Sequence, residues 1–392
     1  MTLFERILTA RGLVTRAARQ AFLQPDYMAV KHDPFLLPDM DKAVARLKRA
    51  REQGEKIVIY GDYDIDGLSA TALLLDAFGK FGFKDVDAFI PNRFVEGYGM
   101  TMGAVDKVRD MGADLIVTVD TGSLCHAEIA YATSLGIDTV VTDHHNVAET
   151  PPPSVAAVNP KFPGHTYPFR DLCGAGVAFK LVQALQTELD GLPDGYEKWL
   201  LDLVALGTVC DIVTLADENR ANVYWGLEVL KKQQRPGLKA LMAVAGIEPE
   251  QVNARHLGFG LGPRMNAAGR LETAQHALDI LTARDGLAAL EASEKLEELN
   301  VKRRSIQDAI FEEACVQAEE LADDRVLVVS SSGWNHGVIG IVASKLVEKY
   351  KKPVFIIGER GEKATGSARS FGDFSAADAQ LEIGRASCRE RV

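Results

Sequence analysis

The chain has 392 residues, 47% hydrophobic and 25% charged, the composition of a globular protein with room for two or three domains. Its formal net charge of −11 excludes polyanion binding by the overall field, so nucleic acid or phosphate would need a local basic patch or bound cations. Five cysteines (Cys125, Cys173, Cys210, Cys315, Cys388) show no CxxC spacing and are odd in number, which argues against a disulfide scaffold and for a reducing compartment. The start, Met1-Thr2-Leu3-Phe4-Glu5-Arg6, lacks the apolar core of a signal peptide, and no uninterrupted apolar stretch is long enough to span a bilayer. A soluble, cytoplasmic protein without membrane contact is expected.

Residues 1–45 read as an N-terminal extension, with Pro25 and Pro34 breaking weak helical stretches. From Asp39 to Gln53, Ala43, Val44, Leu47 and Ala50 recur at helical spacing, and Gly54 closes the helix. Apolar strands then alternate with helices: strands at 56–60, 86–90, 115–120 and 139–145, with helices near 68–78, 102–111 and 127–135 between them. This pattern predicts an α/β fold with a parallel sheet covered on both faces. Pro151-Pro152-Pro153 and Asn159-Pro160 mark an extended connection, followed by apolar, helical segments at 172–186 and 200–207. Gly258 to Arg264 reads as a rigid, turn-rich loop, and 286–321 as one or two long helices. Strand, helix and strand resume at 325–330, 339–350 and 353–357. The expected organisation is a parallel-sheet domain over 46–285, connecting helices over 286–322 and a smaller, incomplete α/β domain over 323–380.

Chemistry-bearing residues gather where the first strand ends, in Gly61-Asp62-Tyr63-Asp64-Ile65-Asp66-Gly67. Continued extended chain would set Asp62, Asp64 and Asp66 on one face, about 7 Å apart. Three such anions repel unless a cation joins them or water screens them; a solvated acidic loop is the plainer reading of this stretch alone. Other polar groups end other segments: Asp120, then Asp143-His144-His145, then Asp211 after the apolar run 200–209. One aspartate at such an end is ordinarily a cap or turn residue, but four groups at equivalent ends point to a shared ion site. Aspartate with neutral histidine suits Mn²⁺ or Mg²⁺, and histidine tilts the balance toward Mn²⁺, Fe²⁺ or Zn²⁺. Asp64, Asp66, Asp120, His144 and Asp211 supply enough donors for two ions about 3.5–4 Å apart. His145 faces away from His144 if the strand stays extended, and reaches substrate or an outer partner if the chain turns.

Gly61–Gly67, Val117-Thr118-Val119-Asp120-Thr121-Gly122 and Val141-Thr142-Asp143-His144-His145 together resemble the DHH phosphoesterase superfamily. Leu206–Ile212, Gly262–Arg270 and Gly333–Lys345 narrow the likeness to the RecJ-like family of bacterial single-stranded-DNA-specific exonucleases, over residues 50 to 380. The resemblance implies a DHH domain joined by long helices to a DHH-associated domain, and a metal-dependent 5′-to-3′ exonuclease of recombination and repair. It also implies two Mn²⁺ or Mg²⁺ ions on Asp64, Asp66, Asp120, His144 and Asp211, bridged by Asp120, with Asp62 and His145 supporting catalysis. Tyr60 stands where the superfamily often carries a histidine, which predicts fewer protein ligands for one ion. Arg264, Asn266 and Arg270 match a segment along the nucleic-acid path. Trp334, Asn335, His336, Ser367, Arg369 and Ser370 match the associated domain's substrate side. Single-stranded DNA is the implied substrate, with single-stranded-DNA-binding protein and a DNA helicase as partners. The rival readings are a DHH phosphoesterase for short oligonucleotides or small phosphorylated molecules, and a non-catalytic repair scaffold. The family's Gly-Gly-His-containing motif and oligonucleotide-binding fold do not follow, and 381–392 does not resemble its continuation. A C-terminally truncated chain of weak activity with a non-native tail is expected.

Overall fold

The computed structural model describes residues 1–97, 99–361 and 363–379, so the expected tail over 381–392 lies outside the described residues. The chain divides into two compact units: residues 1–269 with 273–297, and 270–272 with the chain from Glu298 onward.

The first unit is built on five strands: β1 (Ile57–Gly61), β2 (Val86–Phe89), β3 (Leu115–Val119), β4 (Asp138–Thr142) and β5 (Ala156–Val158). They pair in parallel in the order β2-β1-β3-β4-β5, with Ile59 opposite Val117 and Val117 opposite Val140. Parallel strands need helical crossovers on both faces, which is why β1 and β3 are buried at every position and apolar but for Thr118. On one face Val58, Tyr60, Ile116 and Val141 meet Ala104, Val105 and Val108 of helix Met102–Asp110 and Ile129 and Ala132 of helix His126–Ser134. Tyr60, at the position where a ligand histidine was at issue, stacks on Phe89 and donates its hydroxyl to the Gly99 carbonyl at 3.0 Å. Helices Ile65–Phe81 and Gly174–Glu188 pack on the sheet as well, and both touch helix Leu201–Cys210. The strand order turns back between β1 and β3. The carboxyl ends of the strands at such a point form a ready-made crevice.

Residues 1–45 are tied into this unit. Arg220 Nε donates to the Phe22 carbonyl at 3.0 Å and Trp225 Nε1 to the Pro25 carbonyl at 2.9 Å. Lys180 donates to the His32 carbonyl at 2.9 Å and pairs with Glu218, both buried; Glu218 also accepts from the Tyr167 hydroxyl.

Two local readings need correction. The helix after β1 begins at Ile65, because the Asp64 side chain caps it. Residues 258–264 form no loop: helical turns over 254–256 and 257–261 run into helix Gly262–Leu271, where a Cβ on Gly262 would press on Cys210 Sγ at 3.0 Å. The segment expected to be helical at 200–207 is helix Leu201–Cys210, and Asp211 is its C-cap.

In the second unit, β6 (Leu327–Ser332) and β7 (Val354–Arg360) are parallel across helix His336–Tyr350, and β8 (Lys363–Arg369) runs antiparallel to β7. Leu327, Val329, Val338, Val342, Leu346, Val354 and Ile356 form its core with Ile310 and Ala314. Helix Gly286–Glu320 is continuous over 35 residues. No helix among the described residues is long and apolar enough to cross a membrane.

Candidate metal centre

Each donor reaches the crevice at the β1/β3 edge by a different local device. Asp62 directly follows β1 and stays buried. Asp64 is the N-cap of helix Ile65–Phe81, its Oδ1 accepting from the amides of Asp66 at 2.9 Å and Gly67 at 3.2 Å. Asp66 lies in that helix's first turn. The three aspartates are therefore not an extended row: capping folds the chain back within four residues, since an aspartate before an apolar helix satisfies its orphan amides. Asp66 in turn accepts from the Gly174 amide at 2.6 Å and the Ala175 amide at 2.9 Å, at the start of helix Gly174–Glu188, where the dipole favours an anion. Asp120 follows β3 with φ of +60°, a left-handed conformation that aspartate tolerates better than most residues.

Asp143 organises the two histidines. Its Oδ1 accepts from the amides of His144 at 2.7 Å and His145 at 3.1 Å and from His145 Nδ1 at 2.9 Å; Oδ2 accepts from the Ser123 amide at 2.9 Å. Because β4 ends at Thr142, these residues leave the strand, and the two rings sit 4.6 Å apart, centre to centre. Of the two arrangements expected for His145, the chain adopts the turned one, with the ring held by Asp143. His144 Nε2 lies 3.0 Å from Asp120 Oδ1, 3.6 Å from Asp211 Oδ2 and 3.7 Å from Asp66 Oδ2; His145 Nδ1 lies 3.8 Å from Asp120 Oδ1.

Among the described residues, three donor groups arise, each within 4.8 Å: Asp62, Asp64 and Asp120; Asp66, His144 and Asp211; and Asp120, His144 and His145. Asp120 and His144 each belong to two of them. Every metal-site residue expected from the sequence is present, and Asp62 and His145 join as potential donors. The holding of both histidines by Asp143, the amides of Gly174 and Ala175, and Gly207 were not foreseen. The small-residue run Cys173-Gly174-Ala175-Gly176 at the head of an apolar helix carried the available signal. Another unforeseen neighbour is Arg93: its guanidinium lies 4.2 Å over the Tyr63 ring, and its buried Nε has no hydrogen-bond partner.

The electrostatics are those of crowded, buried anions. Burial, with Asp64 beside it, pushes Asp62 up to about 7. Burial, then Asp66 and Asp64, does the same to Asp211. Burial also raises Asp66, and raises Asp120 well above the carboxylate range. Burial lowers His144, favouring neutral imidazole, while the Asp143 hydrogen bond raises His145. Burial opposes ionisation of Asp143 itself, but its contacts with His145 and Ser123 overcome this and hold it at about 2. An ionised Asp143 only accepts, so His145 carries its proton on Nδ1.

Two observations test the fit of a divalent cation. Asp62 Oδ1, Asp120 Oδ1 and His144 Nε2 are buried without a hydrogen-bond partner, although the last two are 3.0 Å apart. Hard carboxylate oxygens combined with imidazole form the donor set of Mn²⁺ and its neighbours. The residues fit.

The remaining expected site residues are placed as follows. Arg264 pairs with Glu297 at 2.5 Å and donates to the Gly260 carbonyl at 2.7 Å; Asn266 is half-buried on the same helix. In the second unit, Arg270 donates to the Gly337 carbonyl at 2.9 Å. Trp334 is 5% exposed within the core and donates to Glu313 at 2.8 Å, so its ring serves packing here. Asn335 caps helix His336–Tyr350, and His336 Nε2 lies 3.1 Å from the Gly358 carbonyl. Arg369 is exposed and donates to the Ser344 and Ser367 hydroxyls at 3.1 and 3.0 Å; the exposed Ser370 accepts from the Ala376 amide at 3.0 Å.

A parallel sheet of this order with acidic and imidazole donors at its turning point defines a metal-binding α/β protein. Comparison with known proteins narrows the class. The DHH family N-terminal domain matches residues 56–208 and the DHHA1 domain residues 323–386. The single-stranded-DNA-specific exonuclease RecJ of Bacillus subtilis is 42% identical over 372 residues, 94% of this chain and 46% of that protein. The Escherichia coli RecJ is 38% identical over 352 residues, 86% and 61% respectively. The chain thus spans about half the length of the curated relatives it matches. A solved exonuclease RecJ bound to manganese superposes with a TM-score of 0.78 at 35% identity, covering 88% of this chain and 85% of that one. RecJ of Thermus thermophilus in complex with Mn²⁺ gives 0.82 at 33%, covering 96% and 53%. The chain belongs to the DHH family, in its RecJ branch.

Proposed function

We propose that this chain is a metal-dependent exonuclease that hydrolyses phosphodiester bonds of single-stranded DNA from the 5′ end. The observation that carries this reading is the trio of interlocking donor groups sharing Asp120 and His144, with orphaned donor atoms at their centre. Two ions, Mn²⁺ or Mg²⁺, would be held with Asp120 between them: Asp62 and Asp64 on one side, Asp66, His144 and Asp211 on the other. Bound there, divalent ions supply Lewis-acid stabilisation of phosphoryl oxygens and a more acidic water. The chain's own residues do the rest. The amides of Gly174 and Ala175 fix Asp66, and Asp143 fixes the His145 ring and keeps a proton on its Nδ1. His145 Nε2, outside that bond, is free to exchange a proton with the substrate. Arg264, Asn266, Arg270, Asn335, His336, Ser367, Arg369 and Ser370 are assigned to the substrate side, while Trp334 stays with the core. Of these, exposed Arg369 and Ser370 are the readiest to meet strand phosphates. The relatives' names support single-stranded DNA as substrate. Single-stranded-DNA-binding protein and a helicase as partners, and a cytoplasmic location, belong to the same proposal.

The test is hydrolysis of single-stranded DNA labelled at either end, over a length series reaching down to dinucleotides, with Mn²⁺, Mg²⁺ or EDTA. Release of labelled mononucleotide first from the 5′ end, abolished by EDTA and by Asp120→Ala, is expected. Hydrolysis that survives Asp120→Ala, or that is confined to dinucleotides, overturns it.

A further inference from the structure

We propose that Ile212 and Phe259 form an apolar platform beside the metal centre on which a nucleobase of the substrate strand stacks, an inference that rests on the nuclease reading above. Helix Leu201–Cys210 ends in Asp211, whose Oδ2 lies 3.6 Å from His144 Nε2. The next residue, Ile212, has φ of +62°, the position after a helix C-cap where glycine is the usual occupant. A β-branched side chain in left-handed backbone is a steric outlier. Such strain is ordinarily tolerated where the side chain packs. Ile212 is 89% exposed, so burial of its side chain does not offset the strain. The strain therefore lacks a folding reason, and strain of that kind gathers at ligand sites.

Phe259, on the neighbouring turn, is 81% exposed. That turn lies along the end of the same helix: Cys210 Sγ approaches the Leu257 carbonyl at 3.7 Å, and a Cβ on Gly258 would meet Val209 at 3.6 Å. Two large apolar side chains are thus presented to solvent by adjoining segments, one of them directly after a metal-site aspartate. Neither attracts phosphate. What a single strand offers besides phosphates is the flat faces of its bases, now unstacked, and contact with those faces tolerates any sequence. The occupant that matches exposed apolar side chains next to a phosphodiester-cleaving centre is a base.

Ile212→Gly removes the side chain and relieves the backbone together, so a merely structural role and a binding role predict opposite outcomes. The full chain with Mn²⁺ is assayed on an oligothymidylate and on a strand of equal length made of abasic residues. Expected for Ile212→Gly and Phe259→Ala is a fall of roughly tenfold in the ratio of kcat/KM for the base-bearing strand over the abasic one, as for loss of a stacking side chain. Phe259→Trp keeps the ratio, and Ile212→Gly melts no lower than wild type. An unchanged ratio in both variants, or equal losses on the two strands, overturns the platform and leaves the nuclease reading standing. Failure of the wild-type chain to cleave either strand overturns both.

Discussion

Gly207 and Gly174 decide how closely the carboxylates can approach their helices. A Cβ at Gly207 would lie 2.4 Å from Asp66 Oδ1, and one at Gly174 would lie 2.5 Å from the Asp120 Cβ. Gly207→Ala should displace the Asp66 carboxylate and lower Mn²⁺ affinity roughly 10- to 100-fold, the scale of losses on disturbing groups that orient ligands. Calorimetric titration on a variant with wild-type circular dichroism checks it; unaltered affinity would show that the site accommodates the methyl group. The same scale explains what the sequence could and could not disclose. Asp62, Asp64, Asp66, Asp120, His144 and Asp211 stood out because acidic residues and imidazoles interrupt apolar runs at repeated ends. How they converge did not: Asp64 caps a helix, Asp120 adopts left-handed backbone and Asp143 bends the chain by accepting three bonds from the residues after it. Amides of Gly174 and Ala175 carry no side-chain signature.

Among the elements, β1 and β3 were legible because a strand buried on both faces is dominated by β-branched and apolar residues, and β4 by its Thr139-Val140-Val141-Thr142 run. Residues 258–264 were misread because Gly258, Gly260 and Gly262 suggest turns to a local reading. Gly262 has a tertiary role, since a Cβ there would meet Cys210 Sγ of another helix at 3.0 Å. The N-terminal extension held a further surprise, since its attachment depends on a pair distant in sequence. Lys180, on the helix whose first amides hold Asp66, pairs in the interior with Glu218 and bonds the His32 carbonyl. Replacing one partner of a buried pair leaves the other charge uncompensated, so Lys180→Met should cost about 3–5 kcal/mol. Urea unfolding measures it, and a loss under about 1 kcal/mol would mean that the Tyr167 hydroxyl and the His32 amide, which donates to Glu218 at 3.0 Å, satisfy Glu218 alone.

For the whole molecule, the metal centre makes stability depend jointly on pH and on ions. In metal-free protein Asp62 and Asp211 titrate at about 7, well above an unfolded aspartate. Raised folded values mean that the folded state holds the extra protons. The stability they contribute is fully present below about pH 4 and disappears as pH rises through about 7. Divalent ions need those carboxylates ionised, so binding replaces the lost protons and gains strength over the same range. The rise in Tm on adding Mn²⁺ to metal-free protein should therefore be larger near about pH 8 than near about pH 5.5. A rise of equal size at both would mean that the buried aspartates are already ionised without a cation. The donors also arrive in the order 62–66, 120, 144–145 and 211, which sets a schedule during translation. A nascent chain that stalls just before Asp211 carries all five strands of its first sheet and an unfinished cage, so such a fragment should hold a divalent ion poorly.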